Sequence, residues 1–307
     1  MLTTREACDW FDLDAADTDE VCEAESEIGA DEVLAGLVEA VVRQLREQFE
    51  VPVPWAGVDT PAVFDPVSQP DAPAARRWLY VVAFAHFLPG VLEAHRRRGV
   101  PESVSRATFA DVGRHARIAY RKFGVHCGYE QHWLTVHLRG LLYDLGRLQF
   151  NLARLALDQA QLDAAGIDAT PGTVVLESHI PETGPLDAAS VDAAFAAARP
   201  FFAAVFPEHG TIRYATCDSW LLDPQLAQIV PDSNIARFGA RFRLFDTSRV
   251  ADQSALDFVF RAPTTPLDQL PRDTRLQRGM IDHLASGGHV EQRYGWLALP
   301  GGSLSTR

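Results

Sequence analysis

Residues 173–185 read Thr-Val-Val-Leu-Glu-Ser-His-Ile-Pro-Glu-Thr-Gly-Pro. The run is β-branched and apolar, is stopped by Pro181, and turns at Gly184-Pro185. Strand alternation sets Glu177 and His179 on one face and Ser178 on the other. Beyond the turn, residues 187–206 (DAASVDAAFAAARPFFAAVF) are alanine-rich and helical, with Pro200 expected to kink or break them. A strand that turns into a helix is the building unit of a mixed α/β domain. A carboxylate and an imidazole side by side at a strand end can abstract or relay a proton near neutral pH. The plainer reading of His179 is a strand-terminal histidine bonded to a neighbouring carbonyl.

Other strands flank this unit. Leu148, Phe150 and Leu152 alternate with polar residues, and Leu155 and Leu157 continue after a one-residue slip that suits a bulge. Strands are expected at 211–217, 235–246, 256–261 and 289–298, with a helix at 273–285. Upstream of residue 146 the period changes to that of helices. Residues 33, 34, 37, 38, 41, 42, 45 and 49 form an apolar stripe behind an Asp31 cap. Residues 74–98 end in His95-Arg96-Arg97-Arg98-Gly99, a cationic last turn with a glycine stop. Residues 104–123 and 128–145 predict two more helices, while the prolines of 51–75 mark a connector. The fold class is therefore α+β. An all-helical N-terminal domain, 1–145, precedes a mixed α/β C-terminal domain, 146–307.

Composition narrows the functions. The 307 residues are 47% hydrophobic and 22% charged, enough for a sizeable core. A net charge of −13 repels a phosphate backbone, so no nucleic-acid partner is expected. The acidic excess sits on the first fifty residues and the remainder is close to neutral; a cationic acceptor would be drawn to that end. Lys122 is the only lysine, which nearly excludes lysine chemistry. Cys8, Cys22, Cys127 and Cys217 form no C-x-x-C pair, so no zinc site is expected and a reducing cytoplasm is the natural compartment. The start lacks a basic n-region before an apolar stretch. The longest apolar run, 79–92, is broken by His86 and Pro89, so no membrane partner is expected.

Four more segments carry chemistry. In Cys217-Asp218-Ser219-Trp220, Cys217 and Ser219 share one face and Asp218 and Trp220 the other. A nucleophile with His179 competes there with Ser219 as a helix N-cap and Trp220 as core. Behind Ser233-Asn234, a strand over 235–246 would align Arg237, Arg241 and Arg243 as an anion site or a solvated face. The loop from Arg261-Ala262-Pro263 to Thr274 runs into a helix N-terminus that could take phosphate, though it lacks phosphate-loop glycines. His126, Cys127, Glu130, His132 and His137 crowd one helical stretch. His132 and His137 are five apart and cannot share a helix face, so packing or capping is expected there and no metal.

Gly146-Arg147-Leu148-Gln149-Phe150, Glu177-Ser178-His179-Ile180-Pro181 with Gly184-Pro185-Leu186, Cys217 to Pro224, and Asp232-Ser233-Asn234-Ile235 occur in that order. Together they resemble a bacterial acyltransferase family. Its members join a helical N-acyltransferase-like N-terminal domain to a GNAT-like C-terminal domain. The resemblance implies an acyl-CoA-dependent transferase, with acyl-CoA as co-substrate and a small amine or hydroxyl acceptor attacking directly. It implies Glu177 or His179 as base and Cys217 or Ser219 as acid or acceptor-positioning group. Arg237, Arg241 and Arg261 would hold phosphate, and Trp220 and Asn234 would line the acceptor pocket. The 256–261 strand, the next helix and the 289–298 strand would match the family's central strand, pyrophosphate-binding helix and next strand. The missing Q/R-x-x-G-x-G/A loop leaves a non-catalytic binding or regulatory protein on the same scaffold as the alternative.

Overall fold

The computed structural model describes residues 2–51, 72–261 and 265–301. The chain divides into two compact units, Met1–Leu145 and Gly146–Arg307. Most of the proline-rich connector, and residues 262–264 of the loop after Arg261, lie outside the described residues.

The first unit is built on helices that the polar residues start and the apolar residues bury. Helix Thr4–Trp10 begins with a capping box between Thr3 and Glu6, and Ala15–Ala30 begins on the Asp14 carboxylate. Asp31 accepts from the amides of Val33 and Leu34 at 2.9 and 3.1 Å, starting Glu32–Glu47. That helix turns Leu34, Val38, Val41 and Leu45 inward against Leu79–Arg97, whose first seven residues are all buried. The glycine stop stands as expected, with Gly99 at φ +73°.

Three expected helices are corrected in this unit: 74–98 divides into Ala74–Arg77 and Leu79–Arg97, 104–123 divides into Glu102–Phe109 and Asp111–Phe123, and 128–145 departs furthest. Residues 128–145 do not form one helix: Gln131–Leu138 ends before Gly140, at φ +73°, and strand β1 (Leu142–Asp144) follows. A glycine held in the left-handed region ends the helical repeat whatever the apolar pattern beyond it. The acidic N-terminal segment is also more than a solvated face. Asp9, Asp12, Glu20 and Glu50 pair with Arg106, Arg117, Arg77 and Arg98, arginines brought in by later helices.

In the second unit, β2 (Gln149–Arg154), β3 (Val174–His179), β4 (Tyr214–Ser219), β5 (Arg243–Val250) and β6 (Glu291–Ala298) lie in the order β2-β3-β4-β6-β5. β3 and β4 are parallel; the other pairs are antiparallel. Helix Ala188–Val205 makes the crossover that parallel strands require, and it runs through Pro200 without ending. It buries Val191, Ala194, Phe195, Ala198 and Phe202, with the Phe195 ring 5.5 Å from that of Phe150 on β2. By length and composition this helix is apolar enough to cross a membrane; a third of it is buried.

Two expected strands are helices. Residues 234–239 form helix Asn234–Gly239, started by Ser233 accepting from the Ala236 amide at 3.0 Å, and β5 begins only at Arg243. Residues 256–260 belong to helix Asp252–Phe260, which ends at Arg261 with φ +54°. A short apolar run fits either state, and in both places local capping or packing decided it.

Gly113 shows how tightly the first unit is packed. Its amide donates to the Phe11 carbonyl at 2.9 Å, and a Cβ there would lie 2.3 Å from the Asp12 carbonyl oxygen. Gly113→Ala should therefore lower the stability of this unit by about 1–3 kcal/mol. Urea unfolding followed by tryptophan fluorescence reads this, and an unchanged midpoint contradicts it.

Candidate active site

β3 and β4 are paired through Leu176 opposite Ala215 and Glu177 opposite Thr216. Just past that point the buried Ser178 hydroxyl donates to the Thr216 carbonyl at 2.8 Å, so a side chain takes up a backbone acceptor. The carboxyl ends of a parallel pair, next to its crossover helix, are where α/β sheets place ligands.

Register then decides which side chains meet. Glu177 faces Asn151 and His179 faces Gln149 across β2/β3; Thr216 lies beside Glu177, and Asp218 faces Tyr294 across β4/β6. One sheet face thus carries Gln149, Asn151, Glu177, His179, Thr216, Asp218 and Tyr294. His179 Nε2 is hydrogen-bonded to Asn151 Oδ1, and the Asn151 amide nitrogen donates to the Leu152 carbonyl at 3.1 Å. Glu177 is 3% exposed; burial first, and repulsion by Asp218 second, push its carboxyl up to about 8. Burial and the Glu177 charge also raise the Tyr294 phenol, whose hydroxyl lies beside Thr216. Asp218 accepts from Arg249 at 2.9 Å through Oδ2. Both Gln149 amide atoms and Asp218 Oδ1 are buried without a hydrogen-bond partner among the described residues. Such orphans are rare in a finished core and mark where a ligand's polar atoms fit.

The opposite face holds Cys217 and Ser219. Cys217 is 1% exposed, and burial holds its thiol above the ordinary range despite the adjacent Ser178 hydroxyl. Ser219 Oγ accepts from the Leu221 amide at 3.1 Å and caps the turn Trp220–Leu222. Neither shares a face with Glu177 or His179, so the expected base and acid stand on opposite sides of the sheet. The same separation removes the nucleophile pairing of Cys217 or Ser219 with His179. Trp220 is 6% exposed and packs edge-on against Phe258 at 5.7 Å.

The expected arginine row is dispersed. Arg237 is exposed on helix Asn234–Gly239, whose first residue is Asn234; Arg241 is ion-paired with Asp192 of the crossover helix; Arg243 opens β5. Arg261 pairs instead with Glu182, in the loop between β3 and the crossover helix. The strand–helix–strand correspondence implied at 256–298 fails with the 256–261 strand. The parallel unit that does exist is β3, loop 180–187, helix Ala188–Val205 and β4. In that loop Gly184 holds φ +121°, which excludes most other residues. The helix N-cap is Asp187, accepting from the Ser190 amide at 3.0 Å.

In the first unit, Asp14, Asp17 and His126 bring three ligand atoms within 4.8 Å of one another. Asp14 is spent as a helix cap, and Asp17 Oδ1 lies 2.5 Å from His126 Nδ1. The buried His137 Nε2 lies 2.9 Å from Asp111, which also accepts from the Trp133 indole at 3.1 Å.

Gln149, Asn151, Thr216 and Tyr294 were not found from sequence. Their signal was present as the polar positions of alternating strands, which read as solvent-facing. Here those positions are a buried polar face.

A mixed sheet with one parallel pair, a crossover helix and a polar cluster on the opened strands defines a domain of the GNAT-like transferase class. Residues 142–297 match the GNAT-like C-terminal domain, and residues 3–140 match the N-acyltransferase N-terminal domain. The chain belongs to this two-domain acyltransferase family. It is similar to a crystallised acyltransferase mutant in complex with octanoyl-CoA, at 33% identity over 97% of this chain and 88% of that one, TM-score 0.82. An acyltransferase in complex with CoA and 10C-teicoplanin matches with the same identity, coverage and TM-score. One in complex with decanoyl-CoA matches at 34% identity over 97% and 88%, TM-score 0.79. No curated protein matches the chain.

Glu177 makes stability depend on pH. Its carboxyl titrates near 8 when folded against 4.5 ordinarily, so the folded state holds the extra proton between those values. This contribution is complete at the acid end and is lost as pH rises toward 8. Relative to wild type, Glu177→Gln should gain stability across that window and level off above it. Melting temperatures of both proteins at stepped pH measure this; a constant difference from pH 4 to 9 contradicts it.

Proposed function

We propose that the protein transfers a medium-chain acyl group from acyl-CoA to an amine of a small-molecule acceptor by direct attack. The observation that carries this is the buried Glu177, beside the His179–Asn151 pair, at the open end of the parallel pair β3/β4. Relatives at about a third identity that bind octanoyl-CoA, decanoyl-CoA and teicoplanin support the donor class and suggest a glycopeptide amine as acceptor. Free Cys8, Cys22, Cys127 and Cys217 support a reducing bacterial cytoplasm as the place of action.

The base removes a proton from the acceptor ammonium or amine as nitrogen attacks the thioester carbonyl. The tetrahedral oxyanion collapses, the C–S bond breaks, and the CoA thiolate takes a proton. Glu177 suits the base, because burial raises its proton affinity into the working pH range. His179, fixed by Asn151, suits the relay to the acceptor. The unpartnered Gln149 amide offers an N–H donor to the developing oxyanion. The CoA phosphates are assigned to the 180–187 loop and the crossover-helix N-terminus, with Arg261 beside them, rather than to Arg237 or Arg241.

His179→Ala should lower kcat about 100-fold or more while leaving the protein folded, with a melting temperature lower by a few degrees because the buried Asn151 loses its partner. The assay follows CoA release from octanoyl-CoA with an amine acceptor, and undiminished turnover removes His179 from the mechanism. Wild type should also melt higher in saturating octanoyl-CoA. No shift with octanoyl-, decanoyl- or acetyl-CoA contradicts the donor assignment and favours a non-catalytic binding role.

A further inference from the structure

The loop between β3 and the crossover helix is held by a side chain that no functional assignment covers. Arg147 lies just before β2, after Gly146 at φ +102°. Its guanidinium donates to three carbonyls of that loop: Nε to Pro185 at 2.9 Å, Nη1 to Pro181 at 3.1 Å and Nη2 to Gly184 at 2.8 Å. One planar fork thereby fixes five consecutive residues from their carbonyl side. Within the loop the Thr183 amide donates to the Pro181 carbonyl at 2.9 Å, and Pro181 and Pro185 have no amide to give. Arg261 is ion-paired with Glu182 of the same loop.

Gathering carbonyls on one side has a consequence for the amides. Across a trans peptide the N–H of the next residue points opposite to the C=O. Holding the Pro181 and Pro185 carbonyls therefore turns the Glu182 and Leu186 amides away from the guanidinium. The Gly184 carbonyl is followed by Pro185, which has no amide. The amides of Gly184, Leu186 and Ala188 find no acceptor among the described residues. They stand where the crossover helix begins, its dipole favouring an anion. Asp187 caps the helix through Ser190 and leaves these three amides uncommitted.

We propose that Arg147 is a positioning residue for the donor, using its guanidinium to shape the 181–187 loop into a backbone-amide cradle for the diphosphate of acyl-CoA. In this role the arginine replaces the glycine-rich loop that the sequence lacks. A run with two prolines and one glycine could not hold the shape alone, and an external fork supplies the missing order. The inference rests on the acyl-CoA reading above and extends it to a residue that touches neither thioester nor acceptor.

The test compares Arg147→Ala and Arg147→Lys with wild type on two donors, octanoyl-CoA and octanoyl-pantetheine, which lacks the diphosphate. Arg147→Ala should raise KM for octanoyl-CoA about tenfold or more with a much smaller fall in kcat. KM for octanoyl-pantetheine should stay within about twofold, because no phosphate is there to lose. Arg147→Lys, a point charge without the fork, should rescue little. Hydrogen exchange on the free proteins should show faster exchange over residues 182–187 in Arg147→Ala. Equal KM changes for both donors, or unchanged exchange in the loop, overturns the inference. Wild type that binds no acyl-CoA overturns the transferase reading and the phosphate role together. Normal wild-type binding with an unaffected variant overturns the role of Arg147 alone.

Discussion

Parallel pairing of β3 with β4 is the constraint on which the second unit depends. Parallel strands cannot be joined by a tight turn, so the chain must leave β3, form a loop, build a helix of eighteen residues and return. That route creates the loop at 180–187 and the helix N-terminus beside it. The pairing itself runs through Leu176–Ala215 and Glu177–Thr216, after which Ser178 answers the Thr216 carbonyl. A ladder that stops short leaves strand ends whose side chains and backbone can serve a ligand. The same pairing puts Glu177 beside Thr216, within range of Asp218 and Tyr294, and so sets its proton affinity.

Burying so many polar groups on one face is costly unless they are partnered. Asn151 meets this demand for His179, and Arg249 for one oxygen of Asp218. Gln149 and the other oxygen of Asp218 remain without partners. The opposite face is conventional core, with Phe150, Phe195 and Phe202 packed under the crossover helix and Cys217 kept protonated by burial. The Glu177 face is itself apolar core further along, where Ala153, Val175, Tyr214 and Trp296 are buried together, so the polar cluster occupies only the part of that face nearest the carboxyl ends of β3 and β4. In the first unit acidic residues are used differently, as caps at Asp14 and Asp31 and as ion-pair partners of later arginines.

Much of this architecture was legible in the residues, because local rules wrote it. The Asp31 cap, the glycine stop at Gly99, β3 ending at a proline, and the helices at 188–205 and 275–285 all follow from capping, periodicity and turn chemistry. The family resemblance rested on the same segments. Illegible were features set by long-range register. Alternation alone showed that Glu177 and His179 share a face, but only pairing showed which residues of β2, β4 and β6 join them. It placed Cys217 and Ser219 on the wrong side for the expected acid. At 235–246 a Ser233 cap outweighed an apparent alternation, which dissolved the arginine row. At 256–261 an apolar run too short to declare its period became helix.

The central claim is that acyl-CoA enters at the opened ends of β3 and β4, its diphosphate on the 180–187 loop and its thioester toward Glu177 and His179. A crystal structure of the protein with octanoyl-CoA tests this most directly. The account predicts diphosphate oxygens within hydrogen-bond distance of loop amides between Gly184 and Ala188, and the thioester carbonyl on the face that carries Glu177. Density for the diphosphate at the Arg275–Ala285 helix, or for the thioester on the Cys217 face, would contradict it.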